Sequence, residues 1–306
     1  MKRPPNFHAA LLHPRYWPTW FGLAALFLLV QLPYPLLHKL GTWLGRFSMR
    51  FLAHRVEITR RNLELCFPEM DRQQRERLVT DNFAALGMGL IETGIAWFWS
   101  DRRVKRWFTV SGLDNLQAAQ QGGRGVLVIG VHFMSLELGG RAMGLCQPMM
   151  AMYRPHNNKA MEWAQTKGRM RSNKAMLDRK ELRAMVQALK GGEAVWFAPD
   201  QDYGPRGSVF APLFAVEQAA TTNGTFVLAR MAQPALLPVV LIRRQQGDGY
   251  DLLIGAALED YPLDNELAAA AYMNKVIERE IMRAPEQYMW LHRRFKTRPP
   301  GAPSLY

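Results

Sequence analysis

The pattern of apolar and polar positions divides the chain into three unlike stretches. From Trp17 to Leu37 no residue is charged, and this is the only run on the scale of a membrane helix, which needs ~20 apolar residues. Gln31, Pro33 and Pro35 interrupt its last third, leaving a clean helix of about four turns. The segment is therefore expected either to span a bilayer with a tilt or to lie half-inserted at the interface. A buried hydrophobic hairpin is the alternative, but Trp17, Trp20 and Tyr34 stand near the ends, where interfacial aromatics belong. No small-x-small cleavage pattern follows, so the segment should stay attached.

From about residue 43 to 99 the spacing is helical. Asp71 and Gln74 form a capping-box pattern, and Leu78, Phe83, Leu86, Met88, Leu90 and Ile91 recur at helical intervals behind it. Trp97, Phe98 and Trp99 close the stretch and read as core or membrane-contact surface.

At Val126 the pattern changes again. Gly125-Val-Leu-Val-Ile-Gly-Val131 is a short apolar, β-branched run suited to a strand buried on both faces. Helices and strands then alternate: a helix from about Ser135, a strand near Met149 to Tyr153, a helix from Asn158, a strand near Lys174 to Leu177, a helix Leu182 to Leu189, and a strand Ala194 to Ala198. Helix Thr222 to Met231, strands Leu236 to Ile242 and Tyr250 to Ile254, and a helix Glu266 to Met282 follow. This alternation predicts an α/β fold with a mainly parallel central sheet flanked by helices, whose ligands gather at the carboxyl ends of the strands. Two parts are expected: an N-terminal membrane-anchoring helix within residues 1–40 and one catalytic domain over 41–306.

Charge narrows the choice of partner. Lys and Arg number 39 against 26 Asp and Glu, a net charge of +13, which favours an acidic partner such as a nucleic acid, an anionic membrane or an acidic carrier protein. No helix-turn-helix, RNP-type or zinc-finger pattern accompanies the excess, so a nucleic acid is not expected. Cys66 and Cys146 lie far apart and suggest neither a disulfide framework nor a zinc site. Lys39, Arg46, Arg50, Arg55, Arg60 and Arg61 after the apolar run outnumber Lys2, Arg3 and Arg15 before it, which places the large domain in the cytoplasm.

The strongest chemical signal is His132 at the end of the buried strand, with Glu137 just inside the next helix. Across a strand-to-helix turn the acid can reach the imidazole, fix its tautomer and make it a general base worth typically ~10²–10⁴-fold in rate. A histidine at a strand end is as often a structural, hydrogen-bonded residue; other polar clusters at later strand ends shift the balance. Arg154, Arg169, Arg171 and Arg206 can bind phosphate or carboxylate in bidentate fashion, and Asp200 can hold an arginine or a substrate hydroxyl. Asp200 and Asp202 also have the Asp-x-Asp spacing of a metal-nucleotide site, so a membrane-associated glycosyltransferase is the rival enzyme reading. A non-catalytic lipid-binding protein is the other alternative. There is no Gly-x-Ser-x-Gly elbow and no His-Glu-x-x-His, so direct transfer without a covalent intermediate, cofactor or metal is expected. The basic-aromatic stretch from Trp290 to Arg298 reads equally as a docking edge or a solvated tail.

These motifs resemble the late acyltransferases of lipid A biosynthesis, a branch of the superfamily that includes the glycerol-phosphate acyltransferases. The resemblance runs from His13-Pro-Arg-Tyr-Trp17 and Gln31-Leu-Pro-Tyr-Pro35, through Arg61-Asn-Leu-Glu-Leu-Cys-Phe-Pro68 and Glu92-Thr-Gly-Ile-Ala-Trp-Phe-Trp99, to the stretch from Ala284 to Lys296. The superfamily signature of His, four residues and an acid matches His132 and Glu137. The Pro-Glu-Gly-Thr block of the glycerolipid branch is replaced here by Ala198-Pro-Asp-Gln-Asp-Tyr-Gly204, against a glycerol-phosphate acceptor. The resemblance implies a glycerol-phosphate acyltransferase-like fold, an acyl carrier protein thioester as donor, and a Kdo-bearing tetra-acylated lipid A precursor as acceptor, at the cytoplasmic face of a Gram-negative inner membrane. It implies that His132 deprotonates a 3-hydroxyl on an acyl chain of the acceptor while Glu137 holds the ring, with Arg169 and Asp200 as further functional positions. Residues 133–141 and 146–150 are similar to the palmitoleoyl-transferring members, with laurate and myristate the other donor chains left open.

Overall fold

The computed structural model describes residues 6–178 and 181–306; Lys2 and Arg3, two of the charges expected to flank the apolar run, lie outside these. Among the described residues the chain opens with five helices: α1 (Trp17–Leu29), α2 (Tyr34–Ser48), α3 (Ala53–Cys66), α4 (Arg72–Phe98) and the short α5 (Asp101–Lys105). The remainder alternates. It runs β1 (Phe108–Ser111), α6 (Leu113–Ala119), β2 (Val126–Ile129), α7 (Leu136–Cys146), β3 (Met150–Tyr153), α8 (Lys159–Arg169), β4 (Ala175–Asp178), α9 (Leu182–Lys190) and β5 (Ala194–Phe197). A hairpin of β6 (Ser208–Leu213) and β7 (Val216–Thr222) precedes α10 (Gly224–Ala232), β8 (Ala235–Arg243), β9 (Tyr250–Ile254) and α11 (Glu266–Ile281).

The charge-free run is not one helix. Pro33 caps α2 and Pro35 occupies its first turn, where a missing N–H costs nothing, so the chain turns between Val30 and Pro33. Arg103 clamps this elbow, stacked 3.8 Å over Trp99 and donating to the Leu32 carbonyl at 3.0 Å. Among the described residues no helix is long and apolar enough to cross a membrane, so of the two arrangements expected for the run of uncharged residues the span is not found; the prolines that interrupt its last third divide it into two helices.

Both halves of the run pack on α4. Asp71 caps α4, accepting the Gln74 N–H at 2.8 Å as the capping pattern predicts. Val79, Phe83, Met88, Ile91 and Ile95 point inward, whereas Leu90, expected with them, is exposed. The α2–α4 crossing is very close: a Cβ on Gly45 would come within 1.9 Å of the Phe83 carbonyl oxygen, and one on Gly87 within 2.1 Å of that of Gly41. Only glycine permits this approach.

The main sheet has the order β1-β9-β8-β2-β5-β3-β4, parallel throughout except for the antiparallel β8–β9 pair. It is the α/β architecture expected, with β2 wholly buried at its centre. The strands and helices after Val126 lie where the pattern placed them, to within a residue or two at most ends. Neither β1 nor the β6–β7 hairpin was anticipated. The hairpin turns at Phe214, whose φ of 50° is unusual for an aromatic residue. Its ring packs against Phe67 and Trp290, and its N–H donates to Glu278 at 2.6 Å, so distant contacts hold a turn that local sequence does not encode.

The C-terminal stretch is not a solvated tail, although Arg293 and Lys296 within it remain exposed. Trp290, Arg294 and Phe295 are buried, and the backbone is held from two helices. Asn82 donates to the carbonyls of Glu286 and Tyr288 at 2.8 and 2.6 Å, and Asn62 to those of Trp290 and His292.

Gly87→Ala should lower stability by about 1–3 kcal/mol through overpacking, opposite in sign to the ~1 kcal/mol gain that replacing a glycine gives in an open helix. Urea denaturation checks it: an unchanged or raised midpoint would show the α2–α4 contact to be looser than described.

Candidate active site

Parallel register builds the site. Ile129 of β2 pairs with Phe197 of β5, and Gly130 N–H continues the ladder to the Phe197 carbonyl at 3.0 Å. His132 and Asp200 each follow three residues after that pair, so the two strand ends deliver them side by side. The Asp200 carboxylate accepts the His132 backbone N–H at 2.7 Å through one oxygen and meets ring Nδ1 at 2.6 Å through the other. Asp200 is fully buried, and Tyr288 OH donates to its carbonyl at 3.2 Å. Burial pushes the Asp200 carboxyl up, but the His132 charge and hydrogen bonds outweigh this and hold it below the usual carboxylate range.

The His132 loop is pinned from the other side by the C-terminal stretch. Phe133 and Tyr288 form an antiparallel bridge; Met134 N–H donates to Gln287 O at 2.7 Å and Met289 N–H to His132 O at 3.0 Å. Gln287 is itself fixed to Arg243 at the end of β8, whose guanidinium is bidentate on the buried Glu92 of α4 at 2.6 and 3.0 Å. Nothing in the local pattern near residue 287 marks it as a support for residue 132.

The contact expected between Glu137 and the His132 ring is absent. Glu137 lies in the first turn of α7 but faces α8, where Arg169 Nε approaches both carboxylate oxygens at 3.1 Å and Arg169 Nη2 adds a second bond. Trp97 Nε1 donates to the same carboxylate at 3.1 Å. Burial raises the Glu137 carboxyl; the Arg169 charge and the hydrogen bonds from Arg169, Trp97 and Gln165 more than reverse it. Nearness in the chain points to Glu137 as the partner of the imidazole, whereas sheet register supplies Asp200.

A cavity of about 200 Å³ connects the two pairs, lined by His132, Glu137 and Arg169 together with Trp97, Met152, Met176 and Trp196. Trp196 presents its ring edge-on to His132 at 6.1 Å. Arg154 is exposed and lines the rim. Arg171 holds the Trp97 carbonyl and Arg206 lies exposed ahead of the hairpin; neither lines the cavity. Asp202 turns away from Asp200 to accept from Thr297 N–H and Oγ1, both at 2.8 Å, and from Gly204 N–H at 2.9 Å. The Asp-x-Asp pair is thus split between His132 and Thr297 and does not assemble the carboxylate set of a metal-nucleotide site. Trp97 and Trp196, which nothing in the local pattern marks beyond their apolar character, belong to the site.

Removing either member of the Glu137–Arg169 pair should cost more than removing both. Arg169→Ala leaves a largely buried carboxylate unpaired, ~3 kcal/mol or more, and the double variant should show a coupling of ~1–3 kcal/mol. Because the folded-state carboxyl is depressed, this stabilisation is full above the ordinary Glu value of ~4.3 and is lost as pH falls through the depressed value. Chemical denaturation of the four proteins at neutral and acid pH checks both statements.

The description "Bacterial lipid A biosynthesis acyltransferase" belongs to the family profile that matches residues 4–297. The chain is 64% identical over 301 residues to the lipid A biosynthesis palmitoleoyltransferase of Escherichia coli (strain K12), covering 98% of each protein. It is 56% identical over 306 residues to the lauroyltransferase of the same organism, covering 100% of each. The myristoyltransferase of that strain is more distant, at 25% identity over 303 residues, 97% of this chain and 92% of the relative.

Proposed function

The chain belongs to the bacterial lipid A biosynthesis acyltransferases, and we propose that it transfers a palmitoleoyl or lauroyl group from an acyl carrier protein thioester to a 3-hydroxyl on an acyl chain of a Kdo-bearing lipid A precursor. The observation that carries the mechanism is the bond from His132 Nδ1 to the buried Asp200 carboxylate. With Nδ1–H donated to Asp200, Nε2 holds the lone pair and acts as the base. It takes the hydroxyl proton of the acceptor as the oxygen attacks the thioester carbonyl. The C–O bond forms, the C–S bond breaks, and the carrier thiolate leaves, taking the proton back from the imidazolium. Asp200 stabilises that imidazolium. Arg169, fixed by Glu137, which Trp97 in turn holds, supplies positive charge beside the developing oxyanion, so the role of Glu137 is exerted through Arg169 and not on the ring. Arg154 at the rim meets anionic groups of a substrate; Arg171 acts at one remove, through Trp97, and nothing in the structure supports a substrate contact for Arg206.

The acceptor is a lipid, and the exposed surface of the N-terminal helices suits one. Trp17, Phe21, Phe27 and Leu28 on α1, Trp43 and Phe47 on α2, and Phe51 beyond it are exposed; the last three rings form a stacked and edge-on row at 5.3 and 5.4 Å. An apolar face of this size marks a membrane or partner contact. The exposed residues from Trp17 to Phe51 then supply contact with the cytoplasmic surface of the inner membrane, so the anchoring part runs past residue 40 to the end of α2, and the rest of the chain forms the acyltransferase unit. This face adjoins the cavity wall: Asn158 at the start of α8 donates to Thr19 at 2.8 Å, and Trp20 packs on Trp163. The net charge of +13 favours an acidic carrier and anionic lipid.

In an assay with acyl carrier thioester and the tetra-acyl acceptor, His132→Ala should abolish transfer. Asp200→Asn should lower kcat by ~10²–10⁴-fold with KM little changed. Full activity in His132→Ala would sink the mechanism. Phe21→Asp with Phe51→Asp should release the protein from inner-membrane vesicles in a flotation experiment while leaving the fold intact by circular dichroism; unchanged flotation would refute the assigned face.

A further inference from the structure

Gly140 of α7 is a helical glycine that neither backbone conformation nor packing explains. It is not among the residues of positive φ, and a Cβ built there would meet no heavy atom within 4 Å. Its neighbours differ. A Cβ on Gly144 would lie 2.7 Å from Ser172 Oγ, and one on Gly139 3.3 Å from Leu241 Cβ. A glycine inside a helix lowers stability relative to alanine, so what its missing side chain preserves is the space in front of it.

That space is a junction. Gly140 lies one turn after Glu137 on the same face of α7, and it lines the cavity that holds His132. Together with Leu136, Met149 and Trp196 it also lines a second, smaller space of about 30 Å³ between α7 and the sheet, closed by Met143 and Leu241. The shared wall contains no charged residue, and methionine side chains adapt to irregular apolar contents.

We infer that Gly140 sets how far the transferred fatty chain reaches: the chain runs from the carbonyl beside His132 along α7, passes Gly140 between Met149 and Trp196, and its methyl end enters the space before Met143. This rests on the acyl-transfer reading above. A side chain at position 140 closes the passage and excludes longer chains by steric clash, a rejection that binding energy per methylene alone does not provide.

The test uses the full-length membrane-bound protein, the tetra-acyl acceptor and carrier thioesters bearing decanoyl, dodecanoyl, tetradecanoyl and hexadecenoyl chains, with products identified by mass. Gly140→Leu should lower the kcat/KM ratio of hexadecenoyl to decanoyl transfer by about tenfold or more, and Gly140→Ala should shift it less in the same direction with a melting temperature no lower than wild type. An unchanged ratio in Gly140→Leu overturns the inference; if that variant does not fold, an unchanged ratio in Gly140→Ala overturns it. His132→Ala in the same assay separates the two ideas: if it is inactive while the ratios stay fixed, only the role of Gly140 falls, whereas if it is active the acyl-transfer mechanism falls first.

Discussion

The parallel pairing of β2 with β5 is the constraint from which the chemistry follows. Once Ile129 stands opposite Phe197, equal lengths of chain carry His132 and Asp200 out of the same edge of the sheet, and the carboxylate can grip both the backbone and the ring of the histidine. The grip is tight because Asp200 is fully buried and turns both carboxylate oxygens to His132. A buried carboxylate is costly unless its hydrogen bonds are made; here the imidazole and the backbone N–H make them, and the histidine gains a fixed tautomer in return.

A strand end is nevertheless a loose place to hold an imidazole, and the C-terminal stretch removes the looseness. It bridges Phe133 and binds the backbone of His132 and Met134, while Asn62 of α3 and Asn82 of α4 bond to its carbonyls and its own Gln287 exchanges hydrogen bonds with the Arg243 backbone of β8. The Glu92–Arg243 pair beneath it is fully enclosed, so α4 and β8 cannot separate without exposing an unpaired charge to the core. Rigidity at the site is thus drawn from segments remote in the chain, as far apart as Asn62 and Met289.

Helix α4 links this rigid centre to the apolar exterior. One face carries Glu92 and Asn82 toward the C-terminal stretch, another receives α2 through Gly41, Gly45 and Gly87, and its last turn offers Trp97 to Glu137. The helices that expose aromatic side chains are therefore joined to the cavity beside His132 by direct packing and not by a flexible tether, as the membrane contact proposed for them requires.

Much of this was legible in the amino-acid sequence. The buried run before His132, the α/β alternation after it and the Asp71 cap are local patterns of side-chain type, and local patterns determine which segments become strands and helices. Residue identity also determined the chemistry available, a histidine and acids near strand ends, and the family to which the chain belongs. Which acid meets the histidine is not a local property: Glu137 is five residues away along the chain, Asp200 sixty-eight, and strand register decides between them. The same holds for the Phe214 turn, the buried course of residues 284–296 and the divided apolar run. Each depends on free energy gained between segments remote in sequence, which hydrophobic periodicity does not record and the tertiary structure alone decides.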